Sequence, residues 1–227
     1  MGFKKLLLSM RHKLHILSGI VKYRSKMHAH RYATYFRGFF VDKTPDYEKL
    51  SKCKNLIFCA HPDDETLFFF SVLGEGTYVV CMSNCAESTR KKEFFRALEY
   101  KKCDGIMFNY PDTMFSNWLW SKFFMKKRFN KIKDVLSKDC KIYTHSIEGE
   151  SEHGHHFATG RAVDYYFCDF DILHTVVKVE DAKKLSERDL QEKRFIMTDI
   201  YSSQIKMLTR WCSSWFEDFM QVDSFLK

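Results

Sequence analysis

Proline and glycine are scarce in this chain, three and nine among 227 residues, which argues against long flexible linkers. No low-complexity tract and no internal repeat is visible, so solenoid and collagen-like architectures are excluded. Long apolar runs are missing as well. In the first 45 residues the one such run, Leu6-Leu7-Leu8, stops at Ser9 and meets Arg11-His12-Lys13, short of the roughly 7–15 apolar residues of a secretory signal. Nothing elsewhere approaches the ~20 residues of a membrane span. We therefore expect a cytoplasmic protein, with any membrane association peripheral. Repeated tight cysteine pairs are also absent. The eight cysteines are dispersed, and Cys81 and Cys85 have no second pair to complete a zinc-binding set. They read as reduced thiols. What the chain does contain, 45% hydrophobic and 29% charged residues, suits one large globular domain.

Charge is unevenly placed. Of the 37 Lys and Arg, ten fall within residues 1–45 against one acid, Asp42; the arm carries +9, and the remainder, 27 bases against 28 acids, carries −1. The chain thus divides into a basic helical extension, residues 1–45, and a single α/β domain, residues 46–227. A nucleic-acid-binding domain carries its positive charge across a folded face, so no nucleic-acid partner is expected. A basic arm interleaved with Leu, Ile, Phe and Tyr reads as a contact for anionic lipid or for another subunit. It reads equally well as a solvated extension packed on its own domain.

Asn55–Ala60 is a short continuous apolar run, as in a strand buried on both faces, and Thr77–Met82 is a second. Gly105–Phe108, Lys141–Thr144 and Asp171–Val179 complete five strands. Helices are predicted over Glu65–Leu73, Ser88–Lys102, Asn117–Leu136 and Phe157–Phe167, with one or two more over Ser186–Arg210. Trp211, Trp215 and Phe219 recur at helical spacing and read as a packed face. Trp118 and Trp120, two apart, point in different directions. Strands alternating with helices imply a mainly parallel sheet in a Rossmann-like three-layer α/β/α architecture. Such sheets bind ligands beyond the carboxyl ends of their strands, and His61–Asp64 follows the first strand directly.

His61-Pro62-Asp63-Asp64 sets an imidazole and two carboxylates within four residues. Adjacent carboxylates at the end of a buried strand repel each other and lose hydration, which is unfavourable without a cation. Histidine and aspartate suit zinc, and a catalytic zinc takes about three protein ligands and keeps a position for water. The other carboxylate is then placed to act as general base. His153-Gly154-His155-His156, after the fourth strand, is the obvious source of a further ligand. His153 and His156 are three apart and face one side at the start of a helix, so that one can bind metal while the other faces a substrate carbonyl. Each segment has a plainer reading alone, the first as a turn, the second as surface histidines. Both together, each beyond a strand end, favour a site.

At these residues the chain resembles the PIG-L/LmbE-like superfamily of zinc-dependent de-N-acetylases, which includes the enzyme acting on N-acetylglucosaminyl-phosphatidylinositol. The family's Ala/Pro-His-Pro-Asp-Asp-Glu stands here as Ala60–Glu65, and its His-Pro-X-His as His153–His156. Weaker echoes follow in order: Ser83-Asn84, Arg90-Lys91-Lys92-Glu93, Tyr110-Pro111-Asp112 and Tyr201-Ser202-Ser203-Gln204. Together they cover roughly residues 54–205, a span of one-domain size. The resemblance implies an LmbE-like fold, with His61, Asp64 and His156 binding Zn2+, Asp63 as general base, and His153 stabilising the oxyanion or protonating the leaving amine. Arg90 would contact substrate hydroxyls or phosphate, or alternatively pair with Glu93 or Glu87. Tyr201–Gln204 reads as structural.

Two departures stand out. Gly154 replaces the family's proline, and His155 replaces an aspartate that in relatives orients the catalytic histidine; Glu150 or Glu152 could take that part. The expected reaction is hydrolysis of the acetamide of an N-acetylated sugar or glycoconjugate. A sugar-binding relative without catalysis would normally lose a ligand or the base, and here all are kept. Hydrolysis of another amide or an ester would use the same chemistry.

Overall fold

The computed structural model describes residues 44–83, 87–110, 112, 121–148, 153–205 and 213–223. Most of the basic arm, Trp118, Trp120, Glu150, Glu152 and Trp211 lie outside the described residues, as does the side chain of Trp215. The described chain runs α1 (Tyr47–Ser51), β1 (Asn55–Cys59), α2 (Asp64–Phe69), β2 (Thr77–Ser83), α3 (Ser88–Tyr100), β3 (Asp104–Tyr110), α4 (Lys122–Lys133), β4 (Lys141–Thr144) and α5 (Gly154–Tyr166). It continues with β5 (Ile172–His174), β6 (Lys183–Lys184), α6 (Glu187–Phe195), a π turn (Ile196–Ile200), α7 (Ser213–Met220) and β7 (Val222–Asp223).

Five strands form one sheet in the order β3-β2-β1-β4-β5, every pairing parallel. Alternation along each strand explains the layers. Leu56, Phe58, Tyr78 and Val80 pack with Met125, Phe129 and Ile132 of α4, with Ala162 and Val163 of α5 and with Phe167 just after it. Ile57, Cys59, Val79 and Cys81 pack with α2, α3, the π turn and α7. Apolar side chains on both faces of β1 make it the central strand and give the three-layer α/β/α arrangement. Strand order reverses between β1 and β4, and the crevice beyond their carboxyl ends is where such sheets bind ligands.

Three elements differ from the sequence expectation. The predicted fifth strand, 171–179, survives only as Ile172–His174, because β4 ends at Thr144 and leaves nothing beyond it to pair with; the last such bond is Thr175 N to Thr144 O, 3.1 Å. The predicted helix after His153 starts at Gly154 and not Phe157. The long predicted helix from Ser186 passes into a π turn, where Tyr201 N bonds back to Ile196 O at 3.0 Å. The antiparallel β6–β7 pair was not expected. Lys193, fully buried on α6, donates to Phe219 O (2.7 Å) and Val222 O (3.1 Å), satisfying carbonyls at the carboxyl end of α7. Among the described residues no helix is long and apolar enough to cross a membrane.

Candidate metal centre

After β1 the chain turns sharply through Ala60–Asp63 into α2. Asp63 sits at φ +99°, rare for a residue with a Cβ, and such strain persists only where surrounding contacts impose it. Those contacts are present. His61 N donates to Asp64 Oδ2 (2.8 Å) and Asp63 N to Glu65 Oε2 (3.0 Å). Glu65, wholly buried, also accepts from Thr66 Oγ1 (2.7 Å) and from the Tyr201 hydroxyl (2.6 Å). The late Tyr-Ser-Ser-Gln segment therefore buttresses the motif from across the fold. Burial pushes the Glu65 carboxyl up to about 7, against the pull of those donors.

Helix α5 brings the histidines. Gly160 lies so close to β4 that a Cβ there would collide with the His145 carbonyl oxygen; this approach sets the amino end of α5 over the crevice. The side chains of His61, Asp64 and His156, all buried, converge, with ligand atoms within 4.8 Å of one another. His61 Nδ1 and His156 Nε2 each lie 3.4 Å from Asp64 Oδ2. That separation is long for a hydrogen bond and close to the spacing of donors around a tetrahedral ion with bonds of roughly 2.0–2.2 Å. The donor set, two imidazoles and a carboxylate, suits zinc. Burial opposes ionisation of Asp64, but His156, His145 and His61 outweigh it and hold the carboxyl well below the usual range.

The two expected catalytic groups flank this cluster. Asp63 is buried, and Arg90 donates to it at 3.1 Å and to the Pro62 carbonyl at 2.5 Å. Burial, with Asp64, Glu65 and Asp112 nearby, raises the Asp63 carboxyl well above the ordinary range, while Arg90 pulls the other way. His153 caps α5, its Nδ1 accepting from His155 N at 3.3 Å, which leaves the proton on Nε2 in the neutral ring. The residue is exposed, while the rings of His61, His155 and His156 lie against its imidazole, with centroids at 4.7, 5.0 and 5.1 Å. That enclosure and the neighbouring imidazoles lower His153 to about 3, so it is neutral at physiological pH. Arg90 does not take Glu93 as partner; Glu93 instead accepts from Ser203 N (2.9 Å) and Oγ (2.6 Å).

One site residue escaped the sequence reading. His145, fully buried, follows β4 directly, stacks on His156 (4.0 Å, 16°), and sets Nε2 3.3 Å from Asp64 Oδ2 and 3.1 Å from Ala60 N, which donates to it. Its place one residue past a predicted strand was the available signal. Asp112 was noted in sequence without a role. It lies 3.6 Å from His61 Nε2, 3.7 Å from His155 Nδ1 and 3.8 Å from Arg90.

Comparison with known proteins bears on the family and the fold. Residues 56–167 match the family model described as PIG-L, GlcNAc-PI de-N-acetylase. An uncharacterized protein, L374 of Acanthamoeba polyphaga mimivirus, is 29% identical, with the match covering 46% of this chain and 54% of that protein. The chain thus spans about half the length of that relative. Among solved structures, the A40926 pseudoaglycone deacetylase Dbv21 superposes with a TM-score of 0.55 at 14% identity, covering 74% of this chain and 88% of that one. At that identity the likeness shows a shared fold.

Proposed function

Residues 56–167 tie this chain to the PIG-L family of the PIG-L/LmbE-like superfamily, and on that premise we propose that it is a zinc-dependent hydrolase removing the acetyl group from an N-acetylated amino sugar. The observation that carries the proposal is the convergence of His61, Asp64 and His156 beside Asp63 in the crevice between β1 and β4.

His61, Asp64 and His156 would hold the ion. When bound, it would supply Lewis-acid polarisation of the acetamide carbonyl and acidify a neighbouring water. Asp63 takes a proton from the attacking water, whose oxygen bonds to the acyl carbon. The Nε2–H of neutral His153 donates to the oxyanion that develops. The C–N bond then breaks as nitrogen receives the proton from Asp63, giving acetate and a free amino sugar. Arg90 holds Asp63 in place; contact with a substrate hydroxyl or phosphate would be a second duty for it. The basic arm, residues 1–45, would bring the protein to an anionic membrane surface if the substrate is lipid-borne.

The test is zinc content and amine release from a panel of GlcNAc conjugates, measured in parallel on wild type and Asp63→Ala. We expect bound zinc in both and hydrolysis in wild type alone. A protein that takes up no stoichiometric divalent metal would end this reading. Bound zinc without hydrolysis of any conjugate would move the search to other amides and esters.

A further inference from the structure

His61 presents its two ring nitrogens to two different groups of donors. Nδ1 faces Asp64 and, beyond it, His156. Nε2 faces the other way, 3.0 Å from His155 Nδ1 and 3.6 Å from Asp112 Oδ1, while His155 Nδ1 and Asp112 Oδ1 are 3.7 Å apart. With His153, these side chains form a second set of four donors, one atom from each within 4.8 Å of the others. His61 and His155 are buried, Asp112 is half-buried and His153 is exposed, so the set is open to solvent. Three imidazoles and one carboxylate are the donor types that zinc takes in four-coordinate sites.

We propose that Asp112, His153 and His155, with His61 Nε2, form a second divalent-cation position beside the first, selective for zinc over oxygen-preferring ions such as magnesium. Imidazole-rich sites favour zinc, whereas magnesium takes carboxylate, carbonyl and water. The inference rests on the first centre also being a metal site. A neutral imidazole has one lone pair on its ring nitrogens, so the two positions compete for His61, or share it once its ring proton has gone to solvent. Either way the second ion binds more weakly than the first. An ion in the second position also takes a lone pair of His153 and crowds the carbonyl site. Filling it should therefore slow hydrolysis, making zinc both activator and, at higher concentration, inhibitor.

Equilibrium dialysis against rising free zinc, with metal counted by mass spectrometry, tests this on the full chain. Wild type should take up one more equivalent than Asp112→Asn and His155→Asn under the same conditions, in a second and weaker step. Asp112→Asn changes a half-exposed side chain and keeps the test informative if His155→Asn folds poorly, as circular dichroism would show. Cobalt gives an independent readout: its visible absorption should grow in two phases in wild type and one in each variant. Magnesium at the same free concentration should add no second equivalent. A single equivalent in wild type would overturn the second position and leave the proposed hydrolase intact, whereas no bound metal would remove both. Equal uptake by wild type and both variants would place any second ion elsewhere and overturn the assignment. Hydrolysis that holds steady as the second equivalent loads would overturn the inhibitory role.

Discussion

The two ends of the β-sheet follow opposite rules. At the amino end, Leu50, Leu56 and Ile142 are wholly buried, Cys53 and Cys140 sit thiol to thiol at 3.6 Å, and the charged pairs, such as Lys49 with Asp104, stay in water. At the carboxyl end, Asp63, Asp64, Glu65, Arg90, His145 and His156 are all buried. Burying so many ionisable groups is unfavourable unless each is paired or metal-bound. The contrast teaches that the apolar end and the two helix layers stabilise the fold, while the polar end is held in place by them. Free energy stored in packing is used to keep a strained Asp63 and a crowd of imidazoles together.

Several substitutions would break or sharpen this contrast. The largest effects come from one deletion in each region. Phe58→Ala removes a ring with centroids 4.9 Å from Phe129 and 5.1 Å from Phe167, and should cost about 3–5 kcal/mol in denaturant unfolding. Asp63→Ala should lower turnover by roughly 10²–10⁴-fold and destabilise less than Phe58→Ala, because relief of a strained backbone position offsets part of the loss and Arg90 keeps the Pro62 carbonyl and Asp112 nearby. If Asp63→Ala unfolded as readily as Phe58→Ala, the division of labour between the two ends would be wrong.

Gly160→Ala crosses the divide. It touches no ligand, yet its methyl group would push α5 off the His145 carbonyl. We expect about 1–3 kcal/mol of destabilisation from overpacking, together with weakened zinc retention in dialysis against chelator. Retention equal to wild type would mean that α5 does not set the position of His156. Tyr201→Phe takes away a 2.6 Å bond to buried Glu65. It should cost about 1–3 kcal/mol, with Thr66 and Asp63 N still engaged, and turnover should fall less than in Asp63→Ala.

The smallest expected effect lies on the surface, far from the crevice. Lys133 and Lys138 hydrogen-bond to Asp169 and hold its carboxyl below its usual 3.8. A depressed carboxylate contributes stability above its unfolded value and loses it as pH falls through the folded one. The difference in thermal midpoint between wild type and Asp169→Asn should therefore be small at neutral pH and shrink toward zero below pH 3.8. A difference that grows in acid would contradict that sign.

Parallel architecture was legible because its signals are local. Leu56–Cys59 has no polar interruption, and only a strand with both faces covered tolerates that. The helix after Ser186 was readable, and Ser186 caps it in the structure, accepting from Asp189 N at 3.2 Å. The π turn at Ile196–Ile200 was not readable, since its composition suits an ordinary helix and only the packing of Tyr201 against Glu65 reveals it. The fifth strand was overextended for a related reason: Thr175–Val179 has strand character, but a strand needs a partner, and β4 offers none past Thr144.

By itself, the sequence determined the three-layer α/β/α class, the position of His61–Asp64 at the end of the central strand, and the chemical character of the site. These follow from hydrophobic period and from residues adjacent in the chain. Only the tertiary structure decided that His145 joins the wall, that Arg90 turns to Asp63 and not Glu93, that Tyr201 supports Glu65, and that Asp112 meets His155 across His61. Each of those contacts links residues far apart in the chain, and each is placed by how closely a helix can approach a strand. Local propensity carries no information about that distance; the packing of α5 through Gly160 does.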